Sequence, residues 1–243
     1  MDAIRCERLT KVYPKITAVK ELDLTVAEGE LFALLGVNGA GKSTLVKMLS
    51  TLTLPSSGDA YLFGKSVVRE RAAVRSMIAL SPQETAVAPN LTARENLALM
   101  TGAHGFSRAA AAGKIGDVVN ALGLGPVLSR RAGKLSGGWQ RRLSLAMALI
   151  SDPRVLFLDE PTLGLDVIAR SELWDAIRAL KGRTTVILTT HYMEEAESLS
   201  DRVGILREGR LLTVGTAEEI KARTGCEKFE DAFIRVIREG VGA

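Results

Sequence analysis

One stretch constrains this chain more than any other: Gly36-Val37-Asn38-Gly39-Ala40-Gly41-Lys42-Ser43-Thr44. It follows the apolar run Leu31 to Leu35 and opens a segment of helical spacing, so strand, glycine loop and helix come in direct succession. Glycines let the backbone curl until successive amide N–H groups face inward. The helix that follows adds its positive N-terminal end, and the segment is suited to holding phosphate. In such a loop Lys42 reaches the β- and γ-phosphates of a nucleotide, Ser43 offers its hydroxyl to Mg²⁺, and Thr44 bonds on the α-phosphate side. Gly36, Asn38, Gly39, Ala40 and Gly41 supply the cradle. A glycine turn without ligand explains the glycines, but not the strand, the Lys and the hydroxyl together.

Along the rest of the chain, apolar runs rich in Val, Ile and Leu alternate with longer stretches of helical period, which predicts an α/β fold with a mainly parallel sheet. Buried strands are expected at Leu31 to Leu35, Met77 to Leu80, Val155 to Leu158, Thr185 to Thr189 and Val203 to Leu206. Alternating segments at Ile4 to Val12, Leu22 to Val26 and Asp59 to Phe63 predict an antiparallel β edge. From about residue 84 to 152 the strand signal vanishes. An inserted helical subdomain is expected there, with helices over Thr92 to Met100 and Trp139 to Ile150. Thr216-Ala217-Glu218-Glu219 has the spacing of a capping box and is assigned no function. Without repeats or long linkers, residues 1–243 read as one domain.

No run approaches the roughly 18 apolar residues needed to cross a bilayer, and no basic-then-apolar leader pattern opens the chain, so a cytosolic location is expected. Cys6 and Cys226 lack metal-ligand spacing and read as reduced thiols. The net charge of +4 is dispersed in mixed pairs such as Arg130-Arg131 and Glu194-Glu195, which is no nucleic-acid signature.

Arg154-Val155-Leu156-Phe157-Leu158-Asp159-Glu160 is an apolar strand ending in two carboxylates. Beside a phosphate loop these acids divide the work: Asp159 suits Mg²⁺ through its water shell, and Glu160 projects further and can polarise an attacking water as general base. In isolation the pair reads first as a solvated acidic turn. Leu135-Ser136-Gly137-Gly138-Trp139, at the start of a helix expected near Gln140, makes a second anion-binding corner. By itself it reads as a Ser N-cap with a Gly turn.

Taken with the two preceding motifs, Leu135 to Trp139 resembles the signature of the ABC ATPases. The resemblance implies that Ser136, Gly137 and Gly138 close over the γ-phosphate held by an opposite subunit. The family's other elements follow in its order. Tyr13 resembles the aromatic residue that stacks on adenine, and Gln83 the glutamine-loop residue that touches Mg²⁺ and water. Asp166 resembles the acid of the loop joining the two composite sites, and His191 the switch histidine on the γ-phosphate. Singly, Tyr13 reads as core, Gln83 as a loop amide and His191 as a helix cap; the order along the whole chain gives them weight. His104 has no such setting and is expected in solvent. Trp139 stands where many members carry Gln, with Gln140 one place later, leaving its contact with nucleotide open.

Within the family, Asp159 to Asp166 as D-E-P-T-L-G-L-D, T-H-Y-M-E-E-A-E from Thr190 and the tail Phe229 to Phe233 resemble the type-2 exporters, such as drug-resistance and sodium-efflux ATPases. The resemblance implies an ATP hydrolase with ATP and Mg²⁺ as ligands. It further implies an ATP-dependent homodimer, integral membrane permease subunits as partners, and a peripheral place on the inner face of the cell membrane. An importer ATPase and a non-transport member acting on nucleic acid or ribosomes are the alternatives. The chain has neither the long coiled coil nor the second cassette usual in the latter. A GTPase would need N-K-x-D, which is absent.

Overall fold

The computed structural model describes residues 1–239. The chain opens with a long hairpin, β1 (Asp2–Tyr13) and β2 (Ile16–Ala27), whose ends close at Tyr13 opposite Ile16. Strand β3 (Leu31–Leu35) then leads through the glycine loop into α1 (Lys42–Leu49), followed by β4 (Ser57–Leu62), β5 (Lys65–Ser66), α2 (Arg71–Arg75) and β6 (Ile78–Ser81). Three helices come next, α3 (Ala93–Ala103), α4 (Arg108–Ala121) and α5 (Gly137–Leu149). The remainder alternates: β7 (Val155–Asp159), α6 (Val167–Arg178), β8 (Thr185–Thr190), α7 (Met193–Leu199), β9 (Arg202–Arg207) and β10 (Arg210–Gly215). Two helices finish it, α8 (Ala217–Thr224) and α9 (Phe229–Glu239).

The strands form two sheets. The larger runs β10-β9-β3-β8-β7-β6 and is parallel except for β10, an antiparallel edge joined to β9 by a tight turn with Glu208 at φ 50° and Gly209 at φ 80°. Positive φ at both central positions is what a type I′ hairpin requires. The N-terminal strands make a separate sheet, β2-β1-β4-β5, rather than extending an edge of the first. The physical reason lies in the core: Ile4, Leu9, Val19, Ala60 and Leu62 turn inward onto α1, so that α1 is packed between the two sheets.

The period of two along β3 divides the interior. Phe32 and Leu34 join the α1 side with Val155, Phe157 and Ile187, whereas Leu31 lies with Leu156, Leu158, Val186 and Leu188 against the helices that follow β6 and β7. Ala33 and Leu35 face α7 and the C-terminal helices through Ile220, Phe229 and Phe233. A strand whose residues are all buried must be hydrophobic on both faces, which is why the five residues of β3 read as an unbroken apolar run.

Capping sets the helix starts. Thr92 and Thr216 both complete capping boxes with Glu95 and Glu219, while Ser107 and Asp166 accept backbone N–H bonds at the starts of α4 and α6. The helix expected near Gln140 begins at Gly137, and the strand expected from Met77 begins at Ile78. His104 caps the C-terminal end of α3 and is exposed. Cys6 is buried and Cys226 half-buried, both as free thiols; burial pushes Cys6 up to about 12.

Candidate functional site: a phosphate cleft at the strand ends

The C-terminal ends of β3, β7 and β8 open into a cleft of about 680 Å³ lined by Tyr13, Asn38 to Thr44, Gln83, Glu160 and His191, with Ile16, Ala18 and Leu163. This is where a parallel sheet presents its helix N-termini and loop amides. Two glycines allow the tight course of the loop. Gly41 has φ 108°, and a Cβ there would meet the Ala18 carbonyl oxygen at 2.4 Å; a Cβ on Gly36 would meet that of Leu206 at 2.5 Å. A Cβ on Gly39 would meet nothing within 4 Å, which leaves the inner wall of the cradle open.

Lys42 is the first residue of α1 and only 6% exposed. Its ammonium donates to the carbonyls of Gly36 at 2.6 Å and Val37 at 3.3 Å, and stands 4.0 Å from Glu160 Oε1. Burial lowers its pKa, and the Coulombic pull of Glu160 and Asp159 offsets only part of this. A desolvated cation at a helix N-terminus, beside an open cradle, fits a polyphosphate. Ser43 Oγ lies 3.4 Å from Asp159 Oδ1, and Thr189 also donates to that oxygen. A hydroxyl and a carboxylate converging without a soft ligand are the hard-oxygen donors that Mg²⁺ takes while keeping most of its waters.

Glu160 follows directly on β7. Its backbone has φ 48°, left-handed for a residue with a Cβ, and its N–H is shared between the Thr189 carbonyl at 3.0 Å and hydroxyl at 3.1 Å. Such a conformation costs on the order of 1–3 kcal/mol and persists only where surroundings enforce it. It carries the carboxylate over the cleft, where Oε2 meets His191 Nδ1 at 3.1 Å. His191 caps no helix: Tyr192 occupies the N-cap of α7, and the two rings pack with centroids 4.1 Å apart. Tyr13 is 36% exposed at the cleft rim, not core. The Gln83 side chain makes no hydrogen bond among the described residues, while its carbonyl accepts from Arg141.

The remaining sequence-selected residues stand elsewhere. Ser136, Gly137, Gly138 and Asp166 do not line the cleft. Asp166 caps α6 by accepting from Ala169 N at 2.9 Å. Ser136 occupies the N-cap of α5, yet its hydroxyl caps nothing, and the residue is exposed. A Cβ on Gly138 would meet that of Ala169 at 2.8 Å, so the signature turn packs on the start of α6.

The motif order and this geometry agree with what the chain is similar to. A family model described as ABC transporter matches residues 19–163, the span holding the phosphate loop, Ser136 to Gly138 and both acids. The chain belongs to the ABC transporter family. It is 42% identical over 224 residues to the daunorubicin/doxorubicin resistance ATP-binding protein DrrA of Streptomyces peucetius, covering 92% of this chain and 68% of that protein. It is 43% identical over 229 residues to the daunorubicin resistance ATP-binding protein DrrA3 of Streptomyces coeruleorubidus, covering 94% and 72%. Among solved structures, the cbiO1 part of an ABC transporter complex from Clostridium perfringens superposes with a TM-score of 0.84 at 25% identity, over 97% of this chain and 95% of that one. A dimeric ATP-binding cassette in a post-hydrolysis state with ADP and Pi superposes at 0.78, with 25% identity, over 88% and 98%. The chain is thus an ABC-type ATP hydrolase, similar to the daunorubicin and doxorubicin resistance ATP-binding proteins.

The hydrogen bonds around the cleft bring in residues that the motifs alone do not disclose. Thr189 fixes both acids through one hydroxyl. Its signal was the Thr189-Thr190 pair closing an all-buried strand just before His191. Arg141, 5% exposed on α5, donates to the carbonyls of Pro82 at 2.7 Å and of Gln83, and so ties the signature helix to the glutamine loop. Burial lowers its pKa, opposed by the charges of Asp159 and Glu195. No local pattern announces that contact, which spans 58 residues of sequence.

Proposed function

We propose that this ATPase powers an exporter: two copies close on two Mg·ATP, and separate integral membrane subunits, seated beside the Gln83 loop, carry the cargo. In this reading Lys42 and the backbone from Gly36 to Gly41 hold the phosphates, Thr44 bonds the α-phosphate side, and Tyr13 stacks on the adenine. Ser43, Asp159 and Gln83 hold Mg²⁺, which would supply charge neutralisation at the phosphate oxygens. Glu160 accepts the proton of the attacking water, and His191, hydrogen-bonded to that carboxylate, orients it and contacts the γ-phosphate. Ser136, Gly137 and Gly138 serve the nucleotide of the opposite copy, and Asp166 lies at the junction of the two sites. The whole chain acts as one ABC domain in which residues 84–152 form the subdomain that follows nucleotide state. Through its permease the protein sits on the inner face of the cell membrane. Nucleic acid is not among its partners.

The carrying observation is the unused hydroxyl of Ser136. Among the described residues four other helices have a side-chain cap, whereas this N-cap serine, exposed and away from the cleft of its own chain, leaves its helix uncapped. A second chain brings such a donor to a phosphate. Val167 and Ile168, 77% and 73% exposed beside the same turn, suit a face that a partner covers. The export assignment draws on the two Streptomyces relatives, whose names speak of resistance to daunorubicin and, for one of them, doxorubicin.

Sedimentation of Glu160→Gln with and without Mg·ATP tests the reading. The variant is expected to bind ATP and shift to a dimer. An ATP-saturated monomer would refute the composite site, and hydrolysis at the parental rate would refute the base.

A further inference from the structure

Outside the cleft, one buried acid is left without a role. Glu195 on α7 is 0% exposed and shares its inward face with Leu199 one turn later. Its Oε1 accepts the Thr162 hydroxyl at 2.8 Å and the Trp174 indole N–H at 3.1 Å, while Oε2 has no hydrogen-bond partner among the described residues. The donors come from different elements. Thr162, also fully buried, lies in the turn between Glu160 and Asp166; Trp174 is on α6, the helix that Asp166 caps. Helix α7 itself starts just after His191. One carboxyl group therefore joins the three segments that carry Glu160, Asp166 and His191.

We propose that Glu195 is a positioning residue for hydrolysis: by accepting from Thr162 and Trp174 it fixes the turn that presents Glu160 and keeps it in register with His191 and α6. This rests on Glu160 being the base. The strained φ of Glu160 needs such support, because a left-handed residue relaxes when its flanking turn is freed.

Its surroundings favour the neutral form of Glu195. Burial pushes its carboxyl up from the usual range, and the surrounding hydroxyls, the indole and the charge of Arg170 offset only part of that. The charged groups facing it are Arg170 from α6 and Arg141 from α5, and neither donates a hydrogen bond to it among the described residues. The Arg170 guanidinium instead lies over the Tyr192 ring at 5.2 Å. A neutral acid uses one oxygen as a carbonyl that accepts twice, a task that the amide of Gln performs as well.

The test compares kcat and KM for ATP in Glu195→Gln, Glu195→Ala and Thr162→Val, with Glu160→Gln alongside. The Gln variant is expected to keep kcat within about threefold; the Ala and Val variants to lose about tenfold in kcat with KM changed less than about twofold. Thr162→Val keeps the side-chain shape and decides the matter should Glu195→Ala fail to fold. Parental kcat in both Glu195→Ala and Thr162→Val, with Glu160→Gln inactive, overturns the positioning role alone. A parental rate in Glu160→Gln instead removes the base on which that role rests. A Gln variant as slow as the Ala variant overturns the neutral acceptor, as does an infrared difference spectrum, wild type minus Glu195→Gln, showing carboxylate bands in place of a protonated carboxyl stretch.

Discussion

The phosphate cleft and the signature turn are both helix N-termini carrying hydroxyls, but they are built in opposite ways. In the cleft each charged group has a polar partner: Lys42 two loop carbonyls, Asp159 the hydroxyls of Ser43 and Thr189, Glu160 the ring of His191. At the signature, the Ser136 hydroxyl caps nothing, while the glycines behind it pack toward Leu165 and Ala169. A site that holds its ligand alone must be preorganised within one chain, at the cost of desolvating Lys42 and straining Glu160. A surface that completes someone else's site keeps its donor free and needs rigidity only in its backing.

The sharpest way to break this comparison is to remove one group from each side. Lys42→Ala is expected to lower kcat by about a thousandfold or more and to weaken ATP binding by the isolated chain, since it deletes the buried cation of the cradle. Ser136→Ala should lower kcat by about a hundredfold while leaving ATP affinity of the monomer, read by equilibrium titration, unchanged. Equal loss of monomer affinity in both variants would place Ser136 in its own chain's cleft and end the distinction.

How much of each region was legible follows from the same contrast. The cleft is written in contiguous residues, because strand, loop and helix N-terminus are local structure; β3 and the phosphate loop fall where the apolar run and glycines place them. The capping box at Thr216 was equally plain. The N-terminal strands were visible as alternation, but whether they extend the main sheet or stand apart depends on α1 packing between the sheets, which no single segment encodes. Strand β10 carries too little apolar pattern and is set by its turn. The ties that organise the site, Arg141 to the glutamine loop and Glu195 to Thr162 and Trp174, join residues far apart in sequence.

A smaller effect sharpens the boundary between the two regions. Because the Glu195 pKa is raised in the folded chain, that chain holds a proton which the unfolded one releases at lower pH. Its contribution is therefore fully present below the ordinary carboxyl range and is lost as pH rises through the raised value. Urea midpoints measured over a pH series should show wild type losing ground to Glu195→Gln as pH rises through that window. A difference that is flat with pH would mean the folded-state carboxyl titrates normally.

The smallest expected effect falls on Trp139. Here Gln140 is spent on structure, its amide donating to the carbonyls of Ala132 and Leu135 at 3.1 Å each. Trp139 packs on the helical cluster with Arg142 over its ring at 4.9 Å, and Arg142 is in turn paired with Glu172 on α6. The indole thus backs the signature turn from inside its own chain. Trp139→Gln should cost about 1 kcal/mol of stability, from the lost cation–π contact and part of the packing, and change kcat by less than about threefold. A large kcat loss at unchanged melting temperature would instead make Trp139 a nucleotide contact across the dimer, and the signature turn would then offer an aromatic surface as well as a hydroxyl.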